Sequence, residues 1–151
     1  MVTKNWSADI SILIKPIWFN RLPTFSITVG SDIRPLSIDQ EQWVNFKYHG
    51  RQGSIIVEHY GKTINDTDIH TGRDTAVTIE KIKFNGIYSP RFAWAGIYRP
   101  DYPQHYKQDQ ELAEILTPHT YLGWNGVWTL DFTLPIYTWI HKMEDLGWIY
   151  D

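Results

Sequence analysis

The stretch 75-TAVTIEKIKFNGI-87 alternates apolar with polar side chains, yet its apolar set changes parity halfway, from Val77 and Ile79 to Ile82 and Phe84. A period of two marks a strand with one buried face, because successive side chains of a strand point to opposite sides. One extra residue near Glu80–Lys81, a β-bulge, returns both halves of the stretch to the same side. Read this way the segment is a single long strand, and Asn85 and Gly86 end it.

The same period recurs on both sides. Upstream, Ile10, Ile12 and Ile14 form one alternating set, and Phe25, Ile27 and Val29 a second. Between them "KPIWFNRLP" is bracketed by Pro16 and Pro23, which cannot donate to a ladder and suit an edge or a loop. Val44, Phe46 and Tyr48 share a face within Trp43–Tyr48, and the β-branched "SIIVEHY" follows within Gly53–Tyr60, with Gly50 and Gly53 at the connection. Downstream, "YLGWNGVW" supplies a turn through Gly123, Asn125 and Gly126, and then Trp128, Leu130, Phe132 and Leu134 face one way. One segment, "QDQELAEIL" (residues 108–116), has helical spacing in Leu112, Ile115 and Leu116 and is stopped by Pro118. No helices of crossover length separate the strands, so a parallel sheet is not expected. The expected fold is all-β: an antiparallel β-sandwich, jelly roll first among the Greek keys, with one short helix. The chain, residues 1–151, is expected to form one domain and to bury roughly 70% of the surface its unfolded form exposes.

Composition narrows the chemistry. The net charge of −3 comes with no run of Lys and Arg that could track a phosphate backbone, so nucleic acid is not an expected partner. With no cysteine, thiolate metal sites, disulfides and cysteine nucleophiles are excluded. Asp9 and Lys15 interrupt the apolar residues near the start, so no signal-peptide core is read there, and no segment approaches the roughly 20 apolar residues of a membrane helix. Eight Trp, nine Tyr and six Phe exceed what a core of this size needs, and either strand surfaces or a binding face would use the surplus.

Two stretches carry the candidate sites. The first is 59-HYGKTINDTDIHTGRD-74, which sets Asp66, Asp68 and Asp74 beside Asn65 between two strands. Calcium takes six to eight oxygen ligands from carboxylates, amides, carbonyls and water, and such a loop supplies them; Asx residues also build ordinary polar turns, and both readings stand. His59 and His70 flank the loop and would favour zinc, although two histidines so spaced are more often plain strand-end residues. The second stretch, Tyr88 to Tyr106, gathers Tyr88, Phe92, Trp94, Tyr98, Tyr102 and Tyr106 with Arg91, Arg99 and Asp101, and Pro90, Pro100 and Pro103 stiffen it. Aromatic rings stack on the C–H faces of sugars and planar polar groups fix the hydroxyls, so Trp94, Tyr98 and Tyr102 are the candidate glycan platform; the same mix also suits a protein interface.

The pattern "NDTD…RDTAVTIEKIKFNG" resembles the calcium-dependent xylan-binding modules of the jelly-roll type, in which "ND", a short loop and "DRNL" lead into a strand that ends in glycine. Asn65-Asp66 matches the first pair, and Arg73-Asp74 stands at the second with its order reversed. The resemblance covers about 30 residues. It implies a calcium ion held by Asp66 and Asp74, with Asp68 and Asn65 added from their position in the loop. A broader likeness, in "AWAGIYRPDYP", "YLGWNGVW" and "PIYTWIHKMEDLGWIYD", is to small proteins of unassigned role from marine T4-like bacteriophages. It implies a virion component made in the host cytoplasm, with other virion proteins or further copies of itself as partners.

Catalysis is not expected. There is no HExxH, nucleophile elbow or phosphate-cradling loop, and the carboxylate pair Glu58 and Asp131 is the kind any acidic sandwich offers. The Asn5-Trp6-Ser7 and Asn65-Asp66-Thr67 triplets match a glycosylation signal that needs a secretory route. The apolar end, "WIHKMEDLGWIYD", is expected to dock as a core or edge strand or on a neighbouring subunit. The reading is a non-catalytic virion structural or adsorption protein that binds glycan with calcium, against a structural oligomer without sugar or ion and, behind both, a glycan hydrolase.

Overall fold

The computed structural model describes residues 6–103 and 112–144. Ten strands in these residues form two antiparallel sheets: β1 (Ser7–Ile17), β2 (Thr24–Val29), β3 (Asp32–Leu36), β4 (Gln42–His49), β5 (Gln52–Tyr60), β6 (Ala76–Phe84), β7 (Ile87–Tyr88), β8 (Ile97–Pro100), β9 (Tyr121–Leu122) and β10 (Gly126–Thr133). One sheet has the order β4-β1-β6-β7, with the two residues of β9 also on β6; the other runs β3-β2-β5-β10-β8. The chain crosses between the sheets after almost every strand, in the manner of a jelly roll. The two-residue strands β7 and β9 are too short to leave a periodic signal in the sequence.

The bulge lies where the parity change requires it. Leu13 of β1 faces Lys81, the next residue Ile14 faces Ile79, and Glu80 is left without an opposite number. Val77, Ile79, Ile82 and Phe84 consequently all point inward and are buried with Ile10, Ile12 and Ile14. The facing sheet adds Phe25, Ile27, Ile55, Val57, Trp128 and Leu130, also buried. Each such side chain contributes roughly 1.5–3 kcal/mol relative to exposure. Pro16 fits within β1 because β4 pairs only as far as Ile14, so the side of β1 that lacks a donor is a local edge.

At one end of the sandwich Phe84 meets Phe92, Phe132 and Trp139 with ring centroids 5.1–5.3 Å apart. Phe92 belongs to α1 (Pro90–Trp94), which starts with proline at its first turn and is capped by the Ser89 side chain. Trp139 belongs to α2 (Ile136–Met143), whose buried face is Ile136, Trp139 and Ile140 at three- and four-residue spacing. The first part of the apolar tail therefore docks as a helix and not as a strand; residues 145–151 lie outside the described residues. The helix expected over 108–116 is corrected where it can be seen. Residues 108–111 lie outside the described part, and Leu116 exchanges both backbone hydrogen bonds with Tyr98, at 2.8 and 3.0 Å, in an extended bridge. No helix among the described residues is long and apolar enough to cross a membrane.

Candidate functional site

The opposite end of the sandwich collects the end of β5, the start of β6, β9, the end of β8 and the start of β10. Here the acidic loop folds into three separate polar clusters. Thr63 caps a 3-10 turn over Ile64–Asp66, its hydroxyl accepting from the Asn65 amide at 3.3 Å. The Asp66 carboxylate reaches back to the Thr63 amide at 2.8 Å, a capping box. Asp66 is 2% exposed, and Arg21 Nε donates to its Oδ2 at 3.0 Å. Asp68 opens a small hairpin: its backbone exchanges hydrogen bonds with Arg73, and its Oδ1 accepts from the His70 amide at 3.0 Å. Hydrogen bonds from the Thr71 side chain and the His70 amide hold the Asp68 carboxyl below its ordinary range.

Asp74 is the centre of the third cluster. Its Oδ1 accepts from Lys62 Nζ at 2.6 Å, Thr67 Oγ1 at 2.6 Å and the Thr75 amide at 2.9 Å, while Oδ2 accepts from the Tyr121 hydroxyl at 2.6 Å. Burial pushes the Asp74 carboxyl upward, and the hydrogen bonds from Lys62, Thr67 and Tyr121 more than offset this, so its pKa lies below the usual value. Burial, reinforced by the bond to Asp74, raises the Tyr121 phenol well above its usual range. The Lys62 side chain is only 6% exposed; its ammonium also donates to the Gly123 carbonyl and lies 5.3 Å from the centre of the Trp124 ring. Asn125 clamps the Lys62 backbone, accepting from its amide at 2.9 Å and donating to its carbonyl at 3.0 Å.

The structure does not bring Asn65, Asp66, Asp68 and Asp74 together as a calcium site. Asp66 serves Arg21 and the capping box, Asp68 its own hairpin, Asp74 the Lys62 ammonium, and the Asn65 carbonyl accepts from Asn20 at 3.1 Å. Among the described residues no group of three or more His, Asp or Glu converges on a point where an ion could sit. This donor set does not fit calcium, because the three carboxylates serve separate clusters, and Asp66 Oδ2 and both Asp74 oxygens already accept from protein donors. Nor do His59 and His70 form a zinc pair. His59 is buried with Nδ1 against the Leu122 carbonyl at 2.9 Å, burial chiefly lowering its pKa, whereas His70 is exposed.

Of the three candidate platform residues, Tyr102 lies beside Trp124 at this end of the sandwich. It is half-buried, meets the Trp124 ring edge-on at 5.9 Å and donates its hydroxyl to the Ala113 carbonyl at 3.0 Å. Tyr98 is corrected: it is an inward residue of β8 with no exposure, stacked on His119 and tied by its hydroxyl to both backbone groups of Trp124, so it supports the site from below. Trp94 is 55% exposed at the last position of α1, and among the described residues no ring contact links it to Tyr102 or Trp124. Tyr106 lies outside the described residues. Lys62, Tyr121 and Trp124 join this cluster although the sequence reading singles out none of them, and Asn125 enters that reading only as a turn residue. The usable signal was a tryptophan held between turn residues in 123-GWNG-126.

A concavity of about 380 Å³ lies elsewhere, lined by Gln52, Gly53, Ser54, Asp131, Phe132 and Thr133, with Ser54 Oγ donating to Asp131 at 2.5 Å. Glu58 and Asp131 do not pair across it. Glu58 faces Val127 and Asp131 faces Ser54, four residues along the ladder. That is roughly 13 Å at 3.3–3.4 Å per residue, beyond the ~5–9.5 Å of glycosidase carboxylates.

No family model matches the chain, and no curated protein does. Two solved structures share its fold. One is "vCBM60 in complex with galactobiose", with a TM-score of 0.50 and 14% identity over 81% of this chain and 96% of that one. The other is a selenomethionine form of vCBM60, from a description of two families of calcium-dependent carbohydrate binding modules linked by circular permutation; its TM-score is 0.51 and its identity 13%, over 82% of this chain and 89% of that one. At such identities the likeness is one of architecture: this chain has the two-sheet β-sandwich of a carbohydrate-binding module.

Proposed function

We propose that the chain is a non-catalytic glycan-binding domain whose ligand lies against Tyr102 and Trp124, beside the polar rim made by Lys62, Asp74, Tyr121 and Asn125. The observation that carries this is the meeting of the aromatic loop and the acidic loop on one tryptophan: the Tyr102 ring and the Lys62 ammonium both lie within 6 Å of the centre of the Trp124 ring, at 5.9 and 5.3 Å. Rings give a sugar an apolar face, and the fixed polar groups around them orient its hydroxyls. Architecture shared with modules that include one bound to galactobiose supports the reading. The sequence resemblance to phage proteins supports a place on a virion, where such a domain would serve adsorption to a glycan-coated surface.

The test is a glycan array followed by calorimetry with galactobiose and xylo-oligosaccharides. Trp124→Ala and Tyr102→Ala should each weaken binding by about tenfold, equivalent to ~1.4 kcal/mol, and Trp94→Ala should not. A blank array sinks the proposal. A second reading, self-assembly without sugar, is favoured by one feature: Ile33, Thr28, Ile56, Thr129 and Ile97 form a β-branched row across the outer face of all five strands of the second sheet. Ile33, at the exposed edge, is 65% accessible. A closed oligomer by solution mass measurement, lost in Ile33→Lys, is the result expected of that reading.

A further inference from the structure

We infer that the Lys62 ammonium is a built-in cation doing the structural work a divalent ion does in calcium-dependent modules, so that this domain neither needs nor takes up calcium. A calcium ion organises a loop by gathering carboxylate and carbonyl oxygens from different segments. Lys62 Nζ gathers the same kinds of group: a carboxylate oxygen of Asp74 at the start of β6 and a carbonyl oxygen of Gly123 between β9 and β10, with the Trp124 ring beside them. An ammonium has three donors, and here two meet oxygen. The head group is not a loose surface charge, because its side chain is 6% exposed and both backbone groups of Lys62 are held by Asn125. The buried carboxylate of the loop, Asp66, has its Oδ2 held likewise by Arg21 and the Thr63 amide. An incoming divalent ion would have to expel a buried cation and break the Thr67 and Tyr121 hydrogen bonds to Asp74 before it met a second carboxylate.

This inference stands apart from the glycan reading, and its test needs no sugar. The melting temperature of the full chain is measured in millimolar calcium and in EDTA, with calcium calorimetry alongside. The two melts should coincide within about 1 °C, whereas a calcium site held at a hundred times its Kd raises the midpoint of a domain this size by roughly 5–10 °C. A saturable rise of that order, or saturable calcium heat, overturns the inference. Lys62→Ala should melt lower and recover part of the loss in propylammonium but not in propanol, because the missing element is the charged head group. A variant as stable as the native chain, or equal rescue by both compounds, overturns it as well. Should the variant fail to fold, the calcium and EDTA melts of the native chain decide.

Discussion

Replacing Asp74 by alanine removes the acceptor for four donors at once. Lys62 Nζ, Thr67 Oγ1 and the Thr75 amide lose Oδ1, and the Tyr121 hydroxyl loses Oδ2. Bonds to a charged group contribute about 1.5–3 kcal/mol each when measured singly, but these share one carboxylate and cannot be added. The better guide is a buried ion pair broken from one side, which costs about 3–5 kcal/mol because the remaining charge stays buried. That applies here, since the Lys62 side chain is 6% exposed and Asp74's is 22% exposed. Against a total stability of roughly 5–15 kcal/mol the loss is large, and at about 2–4 °C per kcal/mol it lowers the melting temperature by roughly 6–20 °C. Urea unfolding followed by tryptophan emission gives the free energy directly. The double variant Lys62→Met with Asp74→Leu should regain part of the loss, because no ammonium is left buried without its partner, while Thr67, Thr75 and Tyr121 still lack their acceptor. A loss below about 1 kcal/mol for Asp74→Ala, or a double variant no better than the single, would refute the idea that this pair closes the loop.

Three further outcomes follow from particular contacts. Gly96→Ala places a methyl group inside the Trp128 indole, so the junction between α1 and β8 must shift; overpacking of this kind costs about 1–3 kcal/mol or more, and an unchanged urea midpoint with native tryptophan emission would contradict it. His59 is buried and its folded pKa lies below 6.5, so the unfolded chain takes up a proton that the folded one resists. The stability it confers is complete above the unfolded value and falls as pH drops through it; His59→Gln should flatten the decline measured between about pH 7 and 5, and an unaltered slope counts against this. Arg21 is 46% exposed at the side chain whereas Asp66 is 3%. Arg21→Ala therefore strips the cation from a carboxylate that stays buried and should cost about 1–3 kcal/mol or more, whereas Asp66→Ala leaves only a half-exposed guanidinium and an uncapped turn, about 1–2 kcal/mol; an Arg21→Ala variant as stable as the native chain in urea titrations would be the contrary result.

The sandwich was legible because its information is local. Alternation in β1, β2, β5, β6 and β10 is visible within ten residues, and even the bulge at Glu80 shows as a parity change. What escaped depends on partners distant in the chain. The acidic loop has the composition of a calcium site, and nothing within 59–74 shows that its lysine turns inward, since the Gly123 carbonyl and the Tyr121 hydroxyl arrive from 61 residues beyond Lys62 and 47 beyond Asp74. Tyr98 was misplaced for a related reason. In "GIYRP" it reads as one ring of a proline-stiffened loop, but pairing with Trp128 makes it an inward residue of a short strand. Trp124 was hidden by its setting, because a turn between two strands was a sufficient reason for that segment to exist.

Glu80 has one more consequence, and it concerns how the length of this chain can vary. Strand interiors tolerate length change badly, because a shift of one residue turns every later side chain to the opposite face. Here the reverse holds at a single position. Without Glu80, Val77, Ile79, Ile82 and Phe84 fall on one unbroken alternation with Thr78, Lys81 and Lys83 between them, and the registers on both sides of the bulge join without moving a core residue. A one-residue gap inside an interior strand of the first sheet is thus compatible with the same fold. In an alignment of distant sandwiches of this kind, such a gap at the position of Glu80 is an expected difference and not a sign that the strands have been mismatched.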